Sequence, residues 1–205
     1  MYLIGQLLQE LPDVSLHIAD FKNSNEFETL KGYKYYSYGE KAYDGIMSYY
    51  KSFCEARENN QLNGRRKILL IEEFPSLISY LSNIDKQQKT KKADEVLSAV
   101  TEILMLGRGM NTPHGVWIVS QSAEASLFKN SNIRSNFMVT VIMGHLQPTM
   151  KSMLLGGEDV PNVIPRIGEG ILISDGNKPM LVKYPPLNQI TWIKHIKDTL
   201  MQNMD

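Results

Sequence analysis

The sequence feature that most constrains the fold is the segment from Lys67 to Pro75, which reads KILLIEEFP. Four consecutive aliphatic residues stand there between a basic lead-in and two carboxylates, a pattern typical of a strand that is buried on both faces. A buried helix is the alternative, but Pro75 follows so closely that the strand is favoured. Such strands belong to parallel sheets covered by helices, which bind their ligands at the carboxyl ends of the strands. The segment therefore predicts that Glu72 and Glu73 lie at a ligand-binding edge.

These two carboxylates have two interpretations. In the first, they are the acidic motif of a P-loop ATPase, in which one carboxylate lies near Mg²⁺ and the next orients or activates water. In the second, they are solvated acids at the end of an ordinary buried strand. The pattern is short, and taken alone it favours neither interpretation.

Composition excludes several classes of protein. The chain has 205 residues, of which 42% are hydrophobic and 21% charged, as in a globular domain with a substantial core. Its net charge is zero, so any contact with nucleic acid has to come from a local patch. Cys54 is the only cysteine, which excludes an internal disulfide and a cysteine-based zinc cluster. The sequence contains neither a membrane-spanning segment nor a signal-peptide pattern, and we expect a cytoplasmic protein.

Four apolar segments are predicted to be strands, and each ends in polar residues or glycine: Asp20, Glu72-Glu73, Ser120-Gln121 and Gly144. Segments with helical periodicity separate them. If the strands are parallel, right-handed crossovers bring their carboxyl ends to one edge of the sheet. Polar side chains at such an edge make a nucleotide-type site, in which Gln121 could hydrogen-bond a terminal phosphate or the attacking water. Glutamines at strand ends are common, so Gln121 alone is weak evidence for a site. The four strand ends together predict it more specifically than any one of them.

The remaining segments have simpler patterns. Apolar residues at helical spacing predict helices over 2–11, 43–57, 76–81, from about 93 to 106, and over 190–200. Asp175-Gly176 predicts a β-hairpin that joins residues 170–174 to residues 178–184. The stretch from Ile84 to Lys92 carries four lysines and is predicted to be a solvated loop, with DNA contact as the less favoured use.

Short motifs follow one another in a definite order over almost the whole chain: Asp20-Phe21-Lys22, Ile68 to Glu73, Gly107-Arg108, Gly115 to Gln121, Asn132 to Phe137, Gly168-Glu169-Gly170 and Asp175-Gly176. This ordered set resembles the motor domain of FtsK/SpoIIIE-type DNA translocases, in particular the versions carried by mobile elements of Gram-positive bacteria. The resemblance implies an α/β fold: a RecA-like P-loop NTPase core with a mainly parallel sheet flanked by helices, and a carboxy-terminal β-hairpin and helix. It also implies that residues 1–205 form a single domain of this kind.

The same resemblance implies an ATP-dependent translocase of double-stranded DNA that serves DNA transfer or segregation. ATP and Mg²⁺ would be its cofactors, and a homo-oligomeric ring (a hexamer) would surround the DNA. Glu72 would take the Mg²⁺-side acidic position and contact the metal indirectly, and Glu73 would be the catalytic carboxylate. Gln121 would sense the γ-phosphate, and Asp20 and Ser120 would join it in binding the nucleotide.

Two arginines lie in arginine-bearing motifs of this resemblance. Either Arg108 or Arg134 would be the residue that reaches across a subunit interface, although the default for each is a surface residue. Two positions depart from the family pattern. Glu72 stands where the family usually has Asp, so its longer side chain would hold the metal differently, and Ser122 stands where chromosomal translocases often have Arg.

The largest departure is that the sequence contains no Gly-x-x-x-x-Gly-Lys-Ser/Thr, the loop whose backbone N–H groups and lysine bind the phosphates. In the family this loop lies just before a helix that residues 2–11 resemble. We therefore expect an amino-terminally truncated domain, without the phosphate-loop strand that the family places between the sensor strand and the strand ending at Ile142. We also expect negligible ATP hydrolysis by this chain, and any membrane association would reside in the missing amino-terminal parts.

The sequence leaves three hypotheses open. In the first, the chain is the carboxy-terminal majority of a DNA-translocating ATPase, whose chemistry the absent loop completes. In the second, it is a catalytically silent, shortened homologue that joins or modulates rings of an intact relative. The third, an unrelated doubly wound binding protein, explains the polar strand ends but not the ordered motifs, and it ranks last.

Overall fold

The computed structural model of the chain describes residues 2–59, 64–121, 136–144, 164–175, 177–184 and 189–202. The chain divides into two compact units, of which the first comprises residues 1–121 and 188–205 and the second residues 122–187. Each unit contains its own β-sheet. All the carboxylates predicted to form the site belong to the first unit.

The first unit contains strands and helices in alternation over most of its length. Its strands are β1 (Ser15–Asp20), β2 (Tyr36–Tyr38), β3 (Lys67–Glu72) and β4 (His114–Val119). Its α-helices are α1 (Tyr2–Glu10), α2 (Ala42–Glu58), α3 (Phe74–Gln88), α4 (Lys92–Leu106) and α5 (Gln189–Gln202). Short 3-10 turns cover Asn25–Leu30, Gly39–Lys41 and Gly107–Gly109.

The four strands of this unit form one parallel sheet in the order β2-β1-β3-β4. The register places Asp20 directly opposite Glu72, and Glu72 directly opposite Val119. Strand β3 is buried on both faces as predicted, since none of its four aliphatic residues is more than 6% exposed. Helices pack on this sheet, and the predicted α/β fold with a mainly parallel sheet is confirmed.

Alternation of side chains along the strands divides the core between the two faces of the sheet. On one face, the aliphatic residues of β1 and β3 form a buried cluster with apolar residues of α1 and α5: Ile4, Leu7, Leu8, Leu16, Ile18, Ile68, Leu70, Ile196 and Leu200. On the other face, Tyr49 of α2 is fully buried. Its hydroxyl lies 3.0 Å from the carbonyl oxygens of both Lys67 and Gly115, between which its one hydrogen is shared, and so links α2 to both β3 and β4.

The structure corrects the predicted loop between Ile84 and Lys92. Helix α3 continues through most of this stretch, and only residues 89–91 separate it from α4. The Asp85 carboxylate accepts hydrogen bonds from the backbone N–H groups of Lys92 and Ala93, both at 2.9 Å, and caps the first turn of α4. The sequence pattern did not predict this end of α3, because a helical turn that faces solvent on all sides contains no periodic apolar residues.

The second unit contains a three-stranded antiparallel sheet of β5 (Val139–Met143), β6 (Glu169–Ser174) and β7 (Met180–Lys183), in that order. The predicted hairpin is confirmed by the antiparallel pairing of β6 with β7, although Gly176 itself lies outside the described residues. Strand β5, which leads to Gly144, pairs antiparallel with β6 and is not one of the four strands of the parallel sheet. The hairpin thus satisfies backbone groups of β5 within the second unit.

Two histidines lie between the parallel sheet and α2. The ring of His17 contacts the rings of Tyr35 and Tyr49 at centroid distances of 4.2 and 4.9 Å, and the ring of His114 lies 5.5 Å from that of Tyr49. Burial, with nearby positive charge, lowers the pKa of His17 to about 3. Burial also lowers the pKa of His114. Both rings are therefore neutral in the folded protein at neutral pH.

We expect the free energy of unfolding to fall as the pH is lowered from about 6.5 towards 3. The unfolded chain takes up a proton on His17 near the ordinary pKa of 6.5, whereas the folded chain does so only near pH 3. Above pH 6.5, protonation of His17 does not reduce the free energy of unfolding. Between pH 6.5 and 3 it lowers that free energy by up to about 1.4 kcal/mol per pH unit. Urea unfolding at a series of pH values measures the slope.

His17→Phe is the variant that tests this assignment, and His195→Gln, at an exposed position of α5, is its control. We expect the first to flatten the dependence of stability on pH and the second to leave it unchanged. The aromatic neighbours of His17 can accommodate a phenyl ring. An equally steep slope in His17→Phe and in the unmodified chain would show that other groups cause it.

Candidate functional site

The candidate site lies at the carboxyl edge of the parallel sheet, where β1 and β3 end side by side. Asp20 is the last residue of β1 and Glu72 the last of β3, and the two are directly opposite in the register. Residues paired in this way on neighbouring parallel strands project from the same face of the sheet. Asp20 is completely buried, and Glu72 is half-buried. The structure thus brings together two carboxylates that the sequence placed in the site.

The carboxylate of Asp20 is satisfied on one oxygen only. Its Oδ2 accepts hydrogen bonds from the backbone N–H of Ser24 at 2.8 Å and from the hydroxyl of Tyr36 at 2.9 Å. Its Oδ1 is buried and has no hydrogen-bond partner in the part of the chain that the structure describes. Burial and the bond to Asp20 raise the pKa of Tyr36, so its hydroxyl keeps its proton and donates.

Glu73 has an unusual backbone conformation for a residue with a side chain. Its φ and ψ angles of 54° and 47° lie in the left-handed region, where crowding at the β-carbon makes residues other than glycine uncommon. Its backbone N–H donates to the carbonyl of Val119 at 3.0 Å, which holds the start of α3 against β4. Its side chain is only 9% exposed, and Oε1 has no partner among the described residues. Backbone strain and unsatisfied buried oxygens both cluster at functional sites.

Glu72 lies in an anionic environment. Burial raises the pKa of its carboxyl group most, and the negative charges of Glu73, Asp20 and Glu26 raise it further. A cation at this edge would relieve the repulsion among these carboxylates. The electrostatics of the site therefore favour a positively charged ligand or a ligand that carries a metal ion.

The residues predicted at the end of the sensor strand lie at the same edge. Ser120 and Gln121 follow β4 directly, and the last residue of β4, Val119, is paired with Glu72. Both Ser120 and Gln121 are exposed. The parallel sheet thus gathers the ends of β1, β3 and β4 at one edge, whereas Gly144 follows β5 in the second unit.

The predicted arginines are not part of this edge in the described chain. Arg108 is exposed in the 3-10 turn that follows α4. A β-carbon added to the preceding Gly107 would lie 2.2 Å from the carbonyl oxygen of His114, which is the first residue of β4. Arg108 is therefore close to the amino end of β4, at the edge opposite to the carboxylates. Arg134 lies outside the described residues.

The sequence did not reveal that Tyr36 belongs to the site. Tyr36 is the first residue of β2. Its hydroxyl reaches Asp20 because β2 pairs in parallel with β1 at the outer edge of the sheet. The one signal in the sequence for this hydrogen bond is a tyrosine near a strand that ends in a carboxylate. Seven tyrosines lie between residues 31 and 51, so this signal does not single out Tyr36.

The carboxylates fit a Mg²⁺ ion shared with a nucleotide better than a metal site made by the protein alone. Among the residues that the structure describes, no group of three or more His, Cys, Asp or Glu side chains could hold a metal ion together. Mg²⁺ in phosphate-transfer sites has one or two carboxylate ligands and completes its shell with waters and phosphate oxygens. Asp20, with its unsatisfied buried oxygen, and Glu72 can supply that part of the shell.

Comparisons with known proteins identify the fold. No family model and no curated protein matches the sequence. Among solved structures, the pCW3 conjugation coupling protein TcpA, in a monomer form with ATPγS, matches 98% of this chain with a TM-score of 0.66 and 16% sequence identity. The cytoplasmic domain of the Thermomonospora curvata type VII secretion ATPase EccC matches 97% of this chain with a TM-score of 0.63 and 14% identity.

This chain corresponds to only part of each solved protein, 59% of the TcpA chain and 26% of the EccC chain. No helix within the described ranges has both the length and the apolar character needed to cross a membrane. Almost the whole of this chain superposes on the conjugation coupling protein and on the cytoplasmic domain of the secretion ATPase. The chain therefore shares the α/β fold of these two proteins, and this is the RecA-like fold that its ordered sequence motifs predicted.

Proposed function

We propose that the chain is the carboxy-terminal majority of an FtsK/SpoIIIE-like, ATP-dependent translocase of double-stranded DNA, serving DNA transfer or segregation of a mobile element. Glu73 carries this proposal, because it combines a left-handed backbone, a buried carboxylate and an unsatisfied oxygen at the carboxyl edge of the sheet. A carboxylate oxygen with no partner among the described residues is available to accept a hydrogen bond from a water molecule, as a general base does. The fold shared with a conjugation coupling protein and a secretion ATPase supports the same class of activity.

In this proposal the carboxyl edge of the sheet binds ATP together with Mg²⁺, which would neutralise charge on the phosphates. Glu73 accepts a hydrogen bond from the attacking water and orients it, since its Oε1 has no other described partner. Glu72 would help to hold the metal ion indirectly, and the ion would supply positive charge to the phosphates. Gln121 senses the γ-phosphate from the end of β4, and Asp20 and Ser120 complete the nucleotide site.

A ring of identical subunits agrees with the position of Arg108. This arginine is exposed at the edge of the sheet opposite to the carboxylates of its own subunit. It is therefore badly placed to reach a nucleotide bound in the same chain and better placed to reach one bound in a neighbour. Arg134 is the other candidate for this role. We propose a homo-oligomeric ring, a hexamer, with one of these arginines acting across the subunit interface.

The test is ATP hydrolysis with and without duplex DNA, on the 205-residue chain and on a chain extended at its amino terminus by a phosphate-loop segment. The 205 residues contain no such loop, so we expect negligible turnover by the chain alone. We expect DNA-stimulated turnover by the extended chain. Turnover by the shorter chain that disappears in Glu73→Gln would contradict the first expectation.

A catalytically silent role is the second candidate, and the missing phosphate-loop motif favours it. In that case the chain would join or modulate rings of an intact relative. Silence of both the shorter and the extended chain in the hydrolysis assay would favour this role over translocation. A change in the DNA-stimulated ATPase rate of an intact FtsK/SpoIIIE-type enzyme upon addition of the chain would then measure it directly.

The turn between α3 and α4 is a basic cluster at the same end of the sheet as the carboxylates. Phe21, which follows Asp20, lies 5.2 Å from the ring of Tyr80 on α3. At the other end of the turn, the amine of Lys92 lies 5.0 Å from the ring of Tyr43, near the start of α2. Since α2 starts shortly after the carboxyl end of β2, the turn lies near that edge. Lys86, Lys89 and Lys91 are exposed there.

We expect duplex DNA to bind through its backbone phosphates, with an affinity that falls as salt rises. If the lysine-rich turn makes two of these contacts, Lys89→Gln with Lys91→Gln lowers the slope of log Kd against log salt by about 2. Fluorescence anisotropy of a labelled duplex at several salt concentrations measures this slope. The control changes the same charge on α5, by Lys194→Gln with Lys197→Gln, both at exposed positions.

We expect the α5 double variant to keep the salt dependence of the unmodified chain. An equal decrease of the slope of log Kd against log salt in both double variants would show that the total charge of the protein, and not the α3–α4 turn, governs DNA binding. An affinity that does not change with salt would contradict phosphate-backbone binding altogether.

A further inference from the structure

A small cavity lies between α2 and the parallel sheet, beside the ring of His17. Its volume is about 80 Å³, and its lining includes polar residues of β1, of α2 and of the segment that leads into β2: His17, Lys34, Tyr35, Ser37 and Ser48. A cavity of this size has room for several water molecules or for one small ion. His17 stands three residues before Asp20 on β1, so the two side chains project from opposite faces of the sheet. The ring of His17 therefore lies on the other face of the sheet from the carboxylate of Asp20.

One ring nitrogen of His17 is available to a ligand. Its Nε2 lies 3.4 Å from the hydroxyl oxygen of Ser15, whereas its Nδ1 has no hydrogen-bond partner in the part of the chain that the structure describes. The rings of Tyr35 and Tyr49, at centroid distances of 4.2 and 4.9 Å, hold the imidazole in place. When Nε2 accepts a hydrogen bond from Ser15, Nδ1 carries the proton of the neutral ring and can donate it to a ligand.

The charged groups near this ring are basic. Burial lowers the pKa of His17 most, and the neighbouring basic groups of Lys67, His114 and Lys34 lower it further. The amine of Lys34 also lies 5.0 Å from the centre of the Tyr35 ring, which is the ring that His17 contacts. Among the described residues, neither Lys34 nor Lys67 forms an ion pair with a carboxylate. Positive charge that no carboxylate offsets makes a polar cavity favourable for an anion.

We propose that this cavity binds a small oxyanion of the size of inorganic phosphate or sulfate. Lys34, which is exposed, supplies the positive charge, and the hydroxyl of Ser48 and the ring N–H of His17 supply neutral donors. The volume of the cavity excludes a whole nucleotide. This site does not depend on the proposed function, because it uses neither the carboxylates at the edge of the sheet nor a phosphate loop.

The experiment is a titration of the 205-residue chain with sodium phosphate at constant neutral pH, with the ionic strength held constant by NaCl. The NMR signals of the histidine rings report binding. We expect the signals of His17 to move and to saturate at millimolar phosphate, while those of His195, at an exposed position of α5, stay in place. Sulfate, which has the same shape, is expected to act like phosphate. Signals of His17 that move with neither anion would overturn the proposal and leave a cavity filled by water.

Lys34→Gln tests the source of the positive charge, and Lys31→Gln is its matched control. Both lysines are exposed, and each amine lies near a tyrosine ring, that of Tyr35 for Lys34 and that of Tyr38 for Lys31. Lys34 lines the cavity and Lys31 does not. We expect Lys34→Gln to raise the Kd for phosphate by about tenfold or more, through loss of a charge-assisted hydrogen bond, and Lys31→Gln to leave it unchanged. An equal Kd in the two variants would overturn the role of Lys34.

A titration with AMP decides whether the anion is free or belongs to a nucleotide. AMP carries a phosphate on a nucleoside that the cavity has no room for, so we expect the signals of His17 to stay in place. Movement as large as with inorganic phosphate would overturn the assignment to a free oxyanion. Because the reporting ring and Asp20 lie on opposite faces of the sheet, hydrolysis of ATP by an extended chain and binding of phosphate beside His17 can each succeed or fail without the other.

Discussion

Glu73→Gln is expected to lower kcat for ATP hydrolysis by a factor of about 10² to 10⁴ in a chain that carries a phosphate loop. The amide keeps the size of the carboxylate but cannot take up a proton from the attacking water. The left-handed backbone of Glu73 and its bond to the carbonyl of Val119 do not depend on the charge, so the fold should be preserved. Steady-state hydrolysis with duplex DNA measures kcat, and the circular dichroism spectrum shows whether the fold is preserved.

Glu10→Gln, at an exposed position of α1, is the matched control for this loss of one negative charge. We expect it to leave kcat unchanged. Because Glu73 is buried near other carboxylates, its neutralisation should leave Tm unchanged or raise it slightly. A kcat within threefold of the unmodified enzyme would exclude Glu73 as the group that activates water, and Glu72 would then be the next carboxylate to replace.

Gly107→Ala is expected to destabilise the first unit by about 1–3 kcal/mol, or roughly 3–10 °C in Tm. A β-carbon at this position would lie 2.2 Å from the backbone carbonyl oxygen of His114. A backbone atom at the start of a paired strand cannot move aside as a flexible side chain can, so either α4 or β4 must shift. Chemical denaturation followed by circular dichroism measures the loss.

Gly109→Ala, two residues away in the same 3-10 turn, is the matched control because a β-carbon there would have no atom within 4 Å. We expect its stability to stay within about 0.5 kcal/mol of the unmodified chain. Equal effects of the two substitutions would mean that the turn responds to backbone stiffness and not to the close approach of Gly107 to β4. The comparison also separates stability from any role of Arg108, which lies between the two glycines.

Local patterns were sufficient to predict most elements of the first unit. The aliphatic run of β3, the spacing of apolar residues in α1, α2, α4 and α5, and the hairpin of the second unit are all confirmed within one or a few residues. The predicted loop between Ile84 and Lys92 is wrong, because the polar end of α3 has no apolar face that a sequence pattern could reveal. The pairing of β5 with β6 was not predicted, because it joins two segments that lie far apart in the sequence.

The sequence alone indicated the carboxylates of the candidate site, because a buried strand that ends in Glu72-Glu73 has the same pattern wherever the strand is placed. It also determined the fold, through motifs whose order does not depend on contacts. Only the tertiary structure decided that Asp20 stands opposite Glu72 with Tyr36 fixing it, and that Arg108 lies at the other edge. Strand register and helix packing join residues distant in the chain, so no local pattern can encode these contacts.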